Sequence, residues 1–176
     1  PKVKITASSA NPYLKVINND IYSKNGKVLY SVASTKTKYK VKKSVKEIED
    51  GAFYKNDSIK SIYLPDSIKE IGEEAFGDME NLQSIRFSRS ISELDYAMFN
   101  KCKKLKTVKL PKRIQTIRGN FGGKKNCYLK KIYINAVNLK KSNLKSLPKK
   151  CKVYVKSKNV KNQVKKAGFK GKVIIR

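Results

Sequence analysis

Residues 67–76 read SIKEIGEEAF, and the same pattern returns along the chain at a fixed interval. Phe76, which ends this stretch, lies 23 residues from Phe53 and 23 residues from Phe99, and Phe121 follows after a further 22. Two more apolar columns share the period, one made of Ile48, Ile71, Leu94 and Ile117, the other of Val41, Leu64, Phe87, Leu110 and Ile134. Three columns with one period predict a solenoid, because a unit of this length cannot bury its apolar side alone and must stack on its neighbours.

Each unit divides into two apolar pieces. In the first, apolar and polar residues alternate with period two, as in Ile62-Tyr63-Leu64, and this alternation predicts a half-buried strand. Pro65 follows directly, and a proline ends a strand because it has no N–H to donate to the ladder. In the second piece, Ile68 and Ile71 have a spacing nearer to that of a helical turn. The unit is therefore predicted to be one strand followed by one helix-like turn.

These units resemble the BspA-type leucine-rich repeat of bacterial surface proteins. The resemblance rests on residues 67–76 and 81–85, and residues 49–53 and 99–105 fit the same pattern. It covers roughly residues 39–155. The resemblance implies an α/β fold, a right-handed leucine-rich-repeat solenoid of about five coils of ~23 residues each.

The flanks resemble the caps of such arrays. Residues 21–30 resemble an opening β-hairpin, and Asn25-Gly26 is predicted to form its two-residue turn because both residues tolerate positive φ. Residues 153–169 resemble a closing strand followed by a short helix, with Asn159 as the expected N-cap. We expect a single domain at 1–176, composed of an N-terminal hairpin cap at 1–38, repeats at 39–155 and a C-terminal cap at 156–176.

The charge is extreme and uneven. Lys and Arg number 42 against 13 Asp and Glu, which gives a formal net charge of +29. Asp95 is the last acidic residue, and residues 101–176 contain 26 basic residues and no acidic one. Two interpretations stay open. The excess can steer anionic polymers toward the chain, or the lysines can be a solvated surface whose abundance reflects an AT-rich genome.

The residue types needed for most catalytic chemistry are missing. The sequence contains no histidine, which removes the commonest general base and the commonest metal ligand. Cys102, Cys127 and Cys151 have spacings of 25 and 24 residues, which fit no metal motif. We therefore expect no enzyme, no metal and no cofactor. The resemblance implies that Cys102 is a loop cysteine that packs inward as a small hydrophobe, with a Cys102–Cys127 disulfide as the alternative.

Two other clusters favour a structural interpretation. The glycine-rich segment 119–125 lacks both the spacing and the strand–loop–helix context of a phosphate-binding loop, so we expect an irregular coil. Glu73, Glu74, Asp78 and Glu80 form an acidic cluster without the spacing of a calcium loop. We expect these four side chains to be solvated.

The outward residues of the predicted strands are the candidate ligand-binding face. If Ile62 and Leu64 face inward, then Ser61 and Tyr63 face outward. The same phase in every unit gives two columns, which are Ser61, Ser84, Thr107 and Lys131, and Lys40, Tyr63, Arg86, Lys109, Tyr133 and Tyr154. Aromatic and arginine side chains typically carry interface energy, although tyrosine is also simply a good strand former.

The preferred hypothesis is a non-catalytic extracellular binding or adhesion module that presents this face to a host, matrix or cell-surface protein or glycan. Two alternatives remain. One is an electrostatic binder of an anionic cell-wall polymer, such as teichoic acid or a sulfated glycan, through the lysine-rich C-terminal half. The other is an accessory domain of a larger surface enzyme. Specific nucleic-acid recognition is disfavoured, because base edges are read by arginine forks and only five arginines are present.

The resemblance implies a secreted protein on the bacterial cell surface. No apolar run approaches the roughly 18 residues that cross a bilayer, so no membrane span is predicted. The sequence begins with Pro1 rather than methionine, so any export signal or wall anchor is expected to lie outside it.

Overall fold

The computed structural model describes residues 4–119, 121–122 and 127–176. Most of the segment 119–125, for which an irregular coil is predicted, lies outside these residues. The described chain opens with three antiparallel strands, β1 (Leu14–Ile17), β2 (Asp20–Ser23) and β3 (Val28–Ser31). These three strands form the N-terminal cap. Strand β3 pairs in parallel with β5 (Glu47–Ile48) of the first coil, so the cap covers the end of the solenoid.

The two-residue turn lies at a different position from the predicted one. It joins β1 to β2 at Asn18-Asn19, where φ is +54° and +68°, the left-handed values that such a tight turn requires. Four residues link β2 to β3, and Gly26 alone among them has a positive φ. The prediction of a two-residue turn at Asn25-Gly26 is therefore wrong, since the Gly26 N–H donates to the Ser23 carbonyl and closes a wider loop.

From residue 38 onward the chain alternates between longer and shorter strands. The longer strands are β4 (Lys38–Lys40), β6 (Ser61–Tyr63), β8 (Ser84–Arg86), β10 (Thr107–Leu110), β12 (Lys131–Ile134) and β13 (Lys152–Val155). The shorter ones, besides β5, are β7 (Glu70–Ile71), β9 (Glu93–Leu94) and β11 (Thr116–Ile117). Longer strands pair in parallel with longer strands and shorter with shorter. On each side the ladder is divided into two groups, between β8 and β10 and between β7 and β9. The described coils enclose one core between the two sides.

The prediction of a helix-like turn in the second piece of the repeat is wrong. The apolar spacing is correct, because Ile71 faces the core and is buried, but the backbone is extended. The N–H of Gly72 donates to the carbonyl of Ile48 in the preceding coil at 2.8 Å. Backbone groups here find partners one coil away rather than one turn back, and the ladder satisfies them without a helix.

A helix and a last strand close the C-terminal end. Helix α1 (Lys158–Lys166) buries Val160 and Val164 on its inner face. Its N-cap is Ser157 and not the predicted Asn159, since Ser157 is extended and its hydroxyl accepts a hydrogen bond from the Val160 N–H. The sequence pattern does not predict a strand after this helix, but β14 (Val173–Ile175) returns to pair in parallel with β13.

The phenylalanine column forms the centre of the core, as the 23-residue period predicts. Ring centroids are 5.3 Å apart for Phe53 and Phe76, 5.9 Å for Phe76 and Phe99, and 6.3 Å for Phe99 and Phe121. All four side chains are buried. Tyr39 extends the stack toward the hairpin with an edge-on contact to Phe53 at 5.3 Å. Each ring therefore covers the ring of the next coil, and the solenoid is continuous along this column.

Close packing of neighbouring coils explains the glycine inside SIKEIGEEAF. A Cβ atom at Gly72 would lie 2.5 Å from the backbone nitrogen of Asp50 in the preceding coil. The Asp50 carboxylate instead accepts a hydrogen bond from the Glu73 N–H at 2.7 Å. A side chain at position 72 would push the two coils apart, and this explains why the residue there is glycine.

A buried polar network ties the hairpin to the first coil. The Tyr39 hydroxyl donates to Asp20 Oδ2 at 2.6 Å, the Ala33 N–H donates to Oδ1 at 3.1 Å, and the Tyr22 hydroxyl lies 3.2 Å from that of Tyr39. Burial raises the pKa of Asp20, although the hydrogen bonds from Tyr39 and Ala33 oppose this change.

Removal of one ring from the phenylalanine column should destabilise the whole array. We expect Phe76→Ala to lower the free energy of unfolding by about 3–5 kcal/mol, because it leaves a cavity between two coils. Tyr96→Ala is the control, since Tyr96 is 45% exposed and should change stability by only about 0.5 kcal/mol. Urea denaturation followed by circular dichroism measures both. Equal losses in the two variants would contradict the stacked core.

The buried Asp20 carboxyl should make stability fall as pH rises. Its folded pKa lies above the ordinary value of 3.8, so the folded state holds the proton more tightly than the unfolded chain does. The contribution is complete below 3.8 and is lost as pH rises through the raised folded value. Urea denaturation of wild type and Asp20→Asn from about pH 2.5 to pH 7 should show the wild type losing stability relative to the variant.

Asp66→Asn gives a control of opposite sign. Hydrogen bonds from Arg89 lower the pKa of Asp66, so its contribution is present above 3.8 and is lost as pH falls through the folded value. The wild type should therefore gain stability relative to this variant as pH rises. The same slope for both variants would show that Asp20 does not ionise in a buried setting.

Candidate binding face

The longer strands present their outward side chains on one side of the solenoid, which we call the long-strand face. It comprises the outward residues of β4, β6, β8, β10, β12, β13 and β14. Pairing registers align Lys40 with Tyr63 and Arg86, and further along they align Lys109 with Tyr133 and Tyr154. The predicted face residues, Lys40, Ser61, Tyr63, Ser84, Arg86, Thr107, Lys109, Lys131, Tyr133 and Tyr154, all lie on this face in two columns. That the face binds a ligand stays a prediction.

Two lysines of the face were missed by the sequence reasoning. Lys38 is in register with Ser61, and Lys152 is in register with Lys131, so both extend the first column. The period-two phase of the strands contains the signal for both, because they occupy the same outward position as Ser61. The alternate positions point the other way, as Ile62, Leu64 and Ile132 are buried.

In the N-terminal part of the face, cations cover a tyrosine ring. The Arg86 guanidinium carbon lies 4.5 Å from the centroid of Tyr63, and Lys40 Nζ lies 5.3 Å from it. The strands that carry them flank β6, one on each side. The ring therefore attracts both cations and favours positions for them beside it.

In the C-terminal part, two tyrosines stack on each other. The rings of Tyr133 and Tyr154 have centroids 4.7 Å apart and an angle of 16° between their planes. The Arg176 guanidinium carbon lies 4.5 Å from the Tyr133 centroid, and Lys109 Nζ lies 5.8 Å from it. Arg176 is also held by a hydrogen bond to Asn135 Oδ1 at 2.9 Å. As in the N-terminal part of the face, cations lie next to tyrosine rings.

Small hydroxyl residues form the middle of the first column. The Ser84 hydroxyl donates to the Ser61 hydroxyl at 3.1 Å, and Thr107 occupies the corresponding position on β10. These short side chains leave a shallow strip beside the longer side chains of the second column. The strip can exchange hydrogen bonds with a ligand that lies on the face.

The long-strand face is positive throughout its described part. Its outward strand positions include no Asp or Glu, and they carry six cations, which are Lys38, Lys40, Arg86, Lys109, Lys131 and Lys152. The carboxylate that follows β6, Asp66, forms an ion pair with Arg89. Hydrogen bonds from Arg89 hold the pKa of Asp66 below its ordinary value. This carboxylate is therefore neutralised locally and does not offset the charge of the face.

The opposite face carries the acidic residues of the shorter strands. Glu47 and Glu70 are in register, and Glu93 occupies the same position on β9 and forms an ion pair with Arg118. Burial raises the pKa of Glu47, with further increases from the charges of Glu49 and Glu70. A groove of about 740 Å³ lies here. The described residues provide no cluster of three or more His, Cys, Asp or Glu side chains arranged to hold a metal ion.

The cysteines are core residues. Cys102, Cys127 and Cys151 are all buried and all free, so the alternative of a Cys102–Cys127 disulfide is wrong. The inward packing expected of Cys102 is confirmed, and its thiol lies 3.0 Å from the Phe76 carbonyl. Burial raises the pKa of Cys102 and of Cys151 to about 12. Such thiols are poor nucleophiles, because the thiolate is the reactive form.

The acidic cluster differs from the expectation at one residue. Asp78 is buried rather than solvated. It accepts hydrogen bonds from the Tyr54 hydroxyl at 3.1 Å and from Lys101 Nζ at 3.1 Å, which tie three neighbouring coils together. Glu80 forms an exposed ion pair with Lys103. The cluster is thus partly a structural network, which the spacing of acidic residues alone does not reveal.

No helix in the described part of the chain is long and apolar enough to span a membrane.

Solved structures with the same fold come from several bacteria. The pneumococcal vaccine antigen PcpA is 23% identical with a TM-score of 0.70, over 96% of this chain and 49% of its own. A leucine-rich cell surface protein from Faecalibacterium prausnitzii is 24% identical with a TM-score of 0.62, over 93% and 39%. The leucine-rich repeat protein of T. pallidum is 16% identical with a TM-score of 0.62, over 96% and 99%. The chain thus spans half or less of the first two proteins, and these likenesses establish the fold alone.

No curated protein sequence is significantly similar to this chain. A family model does match, and its description is the BspA type leucine-rich repeat region. It matches residues 25–153 in six copies, whereas about five coils are expected at residues 39–155, and the match begins within the hairpin. The period, the stacked core and this match agree, and the chain belongs to the BspA-type leucine-rich repeat family.

Proposed function

We propose that this chain is a non-catalytic binding or adhesion module that presents the long-strand face to a macromolecular partner outside a bacterial cell. The observation that carries the proposal is the extent of that face. Seven described strands line it in two hydrogen-bonded groups, β4-β6-β8 and β10-β12-β13-β14, which adjoin where β8 lies near β10. At the usual strand spacing they extend for about 29 Å. A surface of this length suits the roughly 800 Å² that a partner covers in a stable interface.

The chemistry of the chain supports a binding role over a catalytic one. The sequence has no histidine, and its three thiols are buried, which raises the pKa of each. The face itself offers hydroxyls, tyrosines and cations, which bind and orient ligands rather than break bonds. We propose a host, matrix or cell-surface protein or glycan as the partner.

The cell-surface location rests on the family and on two similar structures. One of these is described as a vaccine antigen and another as a cell surface protein. The chains of both proteins are longer than this one. The alternative that this chain is an accessory domain of a larger surface enzyme is therefore kept.

A second candidate function follows from the charge of the C-terminal half. Residues 101–176 have 26 basic residues and no acidic one, and exposed lysines such as Lys140, Lys150 and Lys166 lie away from the long-strand face. An anionic cell-wall polymer, for instance teichoic acid, could contact this half from several sides. Such binding would depend on total charge rather than on one face.

A glycan and host-protein binding array tests the proposed site. We expect the triple variant Tyr63→Ala, Arg86→Ala, Tyr133→Ala to lose at least about tenfold in signal for the ligand that wild type binds, because these side chains lie at the centre of the face. The matched control is Tyr96→Ala, Arg113→Ala, Tyr128→Ala, which removes two tyrosines and one arginine elsewhere. We expect the control to retain the signal within about twofold.

Circular dichroism spectra and melting curves of both triple variants exclude unfolding as the cause of a loss. An unchanged signal in the face variant would move the site away from the long-strand face. An equal loss in a control that remains folded would favour diffuse binding through the C-terminal half.

A further inference from the structure

Building on the proposed function, we infer that the partner of the long-strand face is a linear sulfated polysaccharide that lies along the axis of the solenoid, across the strands. The inference names the chemistry of the ligand, which neither the family nor the similar structures specify. Three features of the face carry it: the arrangement of its cations, the contacts of its tyrosine rings, and the location of the strand glutamates Glu47, Glu70 and Glu93 on the opposite side.

The cations form two columns that follow the solenoid axis. The first column carries Lys38, Lys131 and Lys152, and the second carries Lys40, Arg86 and Lys109. Arg176 lies over Tyr133 and adds a charge at the C-terminal end. Neighbouring strands are about 4.8 Å apart, and the two columns are separated by two residues, or about 7 Å. The face therefore offers about one cation per strand, distributed over two parallel lines.

A linear polymer with anionic groups on both of its edges matches this arrangement. A sulfated polysaccharide carries such groups at several ring positions, and each sulfate accepts hydrogen bonds from ammonium and guanidinium groups. A polymer with one carboxylate per ring would use a single column. The shallow strip of Ser61, Ser84 and Thr107 lies between charged positions and provides partners for ring hydroxyls.

The state of the aromatic rings argues against single-stranded nucleic acid. Proteins bind those strands by stacking bases on open aromatic faces. Here Tyr63 is covered by Arg86 at 4.5 Å, and Tyr133 is covered by Tyr154 at 4.7 Å. These ring faces contact a cation or a second ring, and the ligand meets the row of cations beside them. This surface recognises oxyanions and not π systems.

The acidic residues mark the face as distinct from the rest of the N-terminal half. Glu47, Glu70 and Glu93 all lie on the shorter strands of the opposite side. The long-strand face stays positive even there, through Lys38, Lys40 and Arg86. A general excess of lysine would not require this segregation, because the N-terminal half of the chain is nearly balanced in charge.

Two variants of equal charge test the inference. The face variant is Lys40→Gln, Lys109→Gln, Lys131→Gln, Lys152→Gln. The control variant is Lys140→Gln, Lys141→Gln, Lys150→Gln, Lys166→Gln, whose lysines are exposed and lie off the face. Affinity for heparin is measured by calorimetry at several salt concentrations, together with N- and O-desulfated heparin, polyphosphate and single-stranded DNA. Melting curves confirm that both variants fold.

We expect wild type to bind heparin at low salt and to lose affinity steeply as salt rises, because bound cations are released from the polymer. The face variant should bind at least about tenfold more weakly, with a salt slope shallower by about three to four. The control variant should bind within about threefold of wild type. Heparin fragments shorter than the roughly 29 Å of the face should bind more weakly than longer ones.

Several results would overturn the inference. Equal losses in the two variants would show that binding follows total charge. Desulfated heparin, polyphosphate or single-stranded DNA that binds as well as heparin would show that sulfate on a polysaccharide is not what the face recognises. If wild type fails to bind heparin while its array ligand is still lost in the Tyr63, Arg86 and Tyr133 variant, the sulfated ligand is wrong and the proposed binding function of the face stands.

Discussion

The stacking of one coil on the next at the spacing of a β-ladder is the constraint on which the rest of the structure depends. A coil cannot bury Phe76 by itself, and only the rings of Phe53 and Phe99 in its neighbours complete the enclosure. The same spacing leaves no room for a side chain at Gly72. The core is therefore a property of the array, since every coil supplies half of the contacts that its neighbour needs.

This constraint also determines the surface. When inward residues repeat in register, the outward residues between them must repeat in register as well, because successive side chains of a strand alternate between the two sides. Tyr63 falls between Lys40 and Arg86 for this reason, and the contacts of its ring with both cations follow from the register of the ladder. A binding face on such a scaffold is composed of columns of side chains. A ligand that matches it carries chemical groups that repeat along the solenoid axis.

The period of the sequence was sufficient to predict the stacked core, the longer strands and the two outward columns, because these depend on which residues share a phase. It was not sufficient where the partner of a backbone group lies one coil away. Gly72 bonds to Ile48, so the extended form of β7 depends on a residue distant in sequence, whereas the spacing of Ile68 and Ile71 suits a helical turn equally well. Asp78 and the true N-cap, Ser157, were missed for a related reason. Several polar residues near each position could have made the same hydrogen bonds, and only packing selects among them.

Net charge is a weaker guide to function here than the position of each charge. A value of +29 describes a chain that any polyanion would attract, and a solvated lysine surface would give the same number. The position of each charge is more informative. Glu47 and Glu70 lie on the shorter strands, whereas Lys40 and Arg86 lie on the longer strands on the other side of the coil. Net charge alone does not require positive and negative side chains to lie on different sides. The rings of Tyr63 and Tyr133 then limit the freedom of the long cationic side chains beside them. Cations held in this way lose less conformational entropy when a ligand arrives, so a face of ordered charges can favour one linear anion over the diffuse attraction of the whole chain.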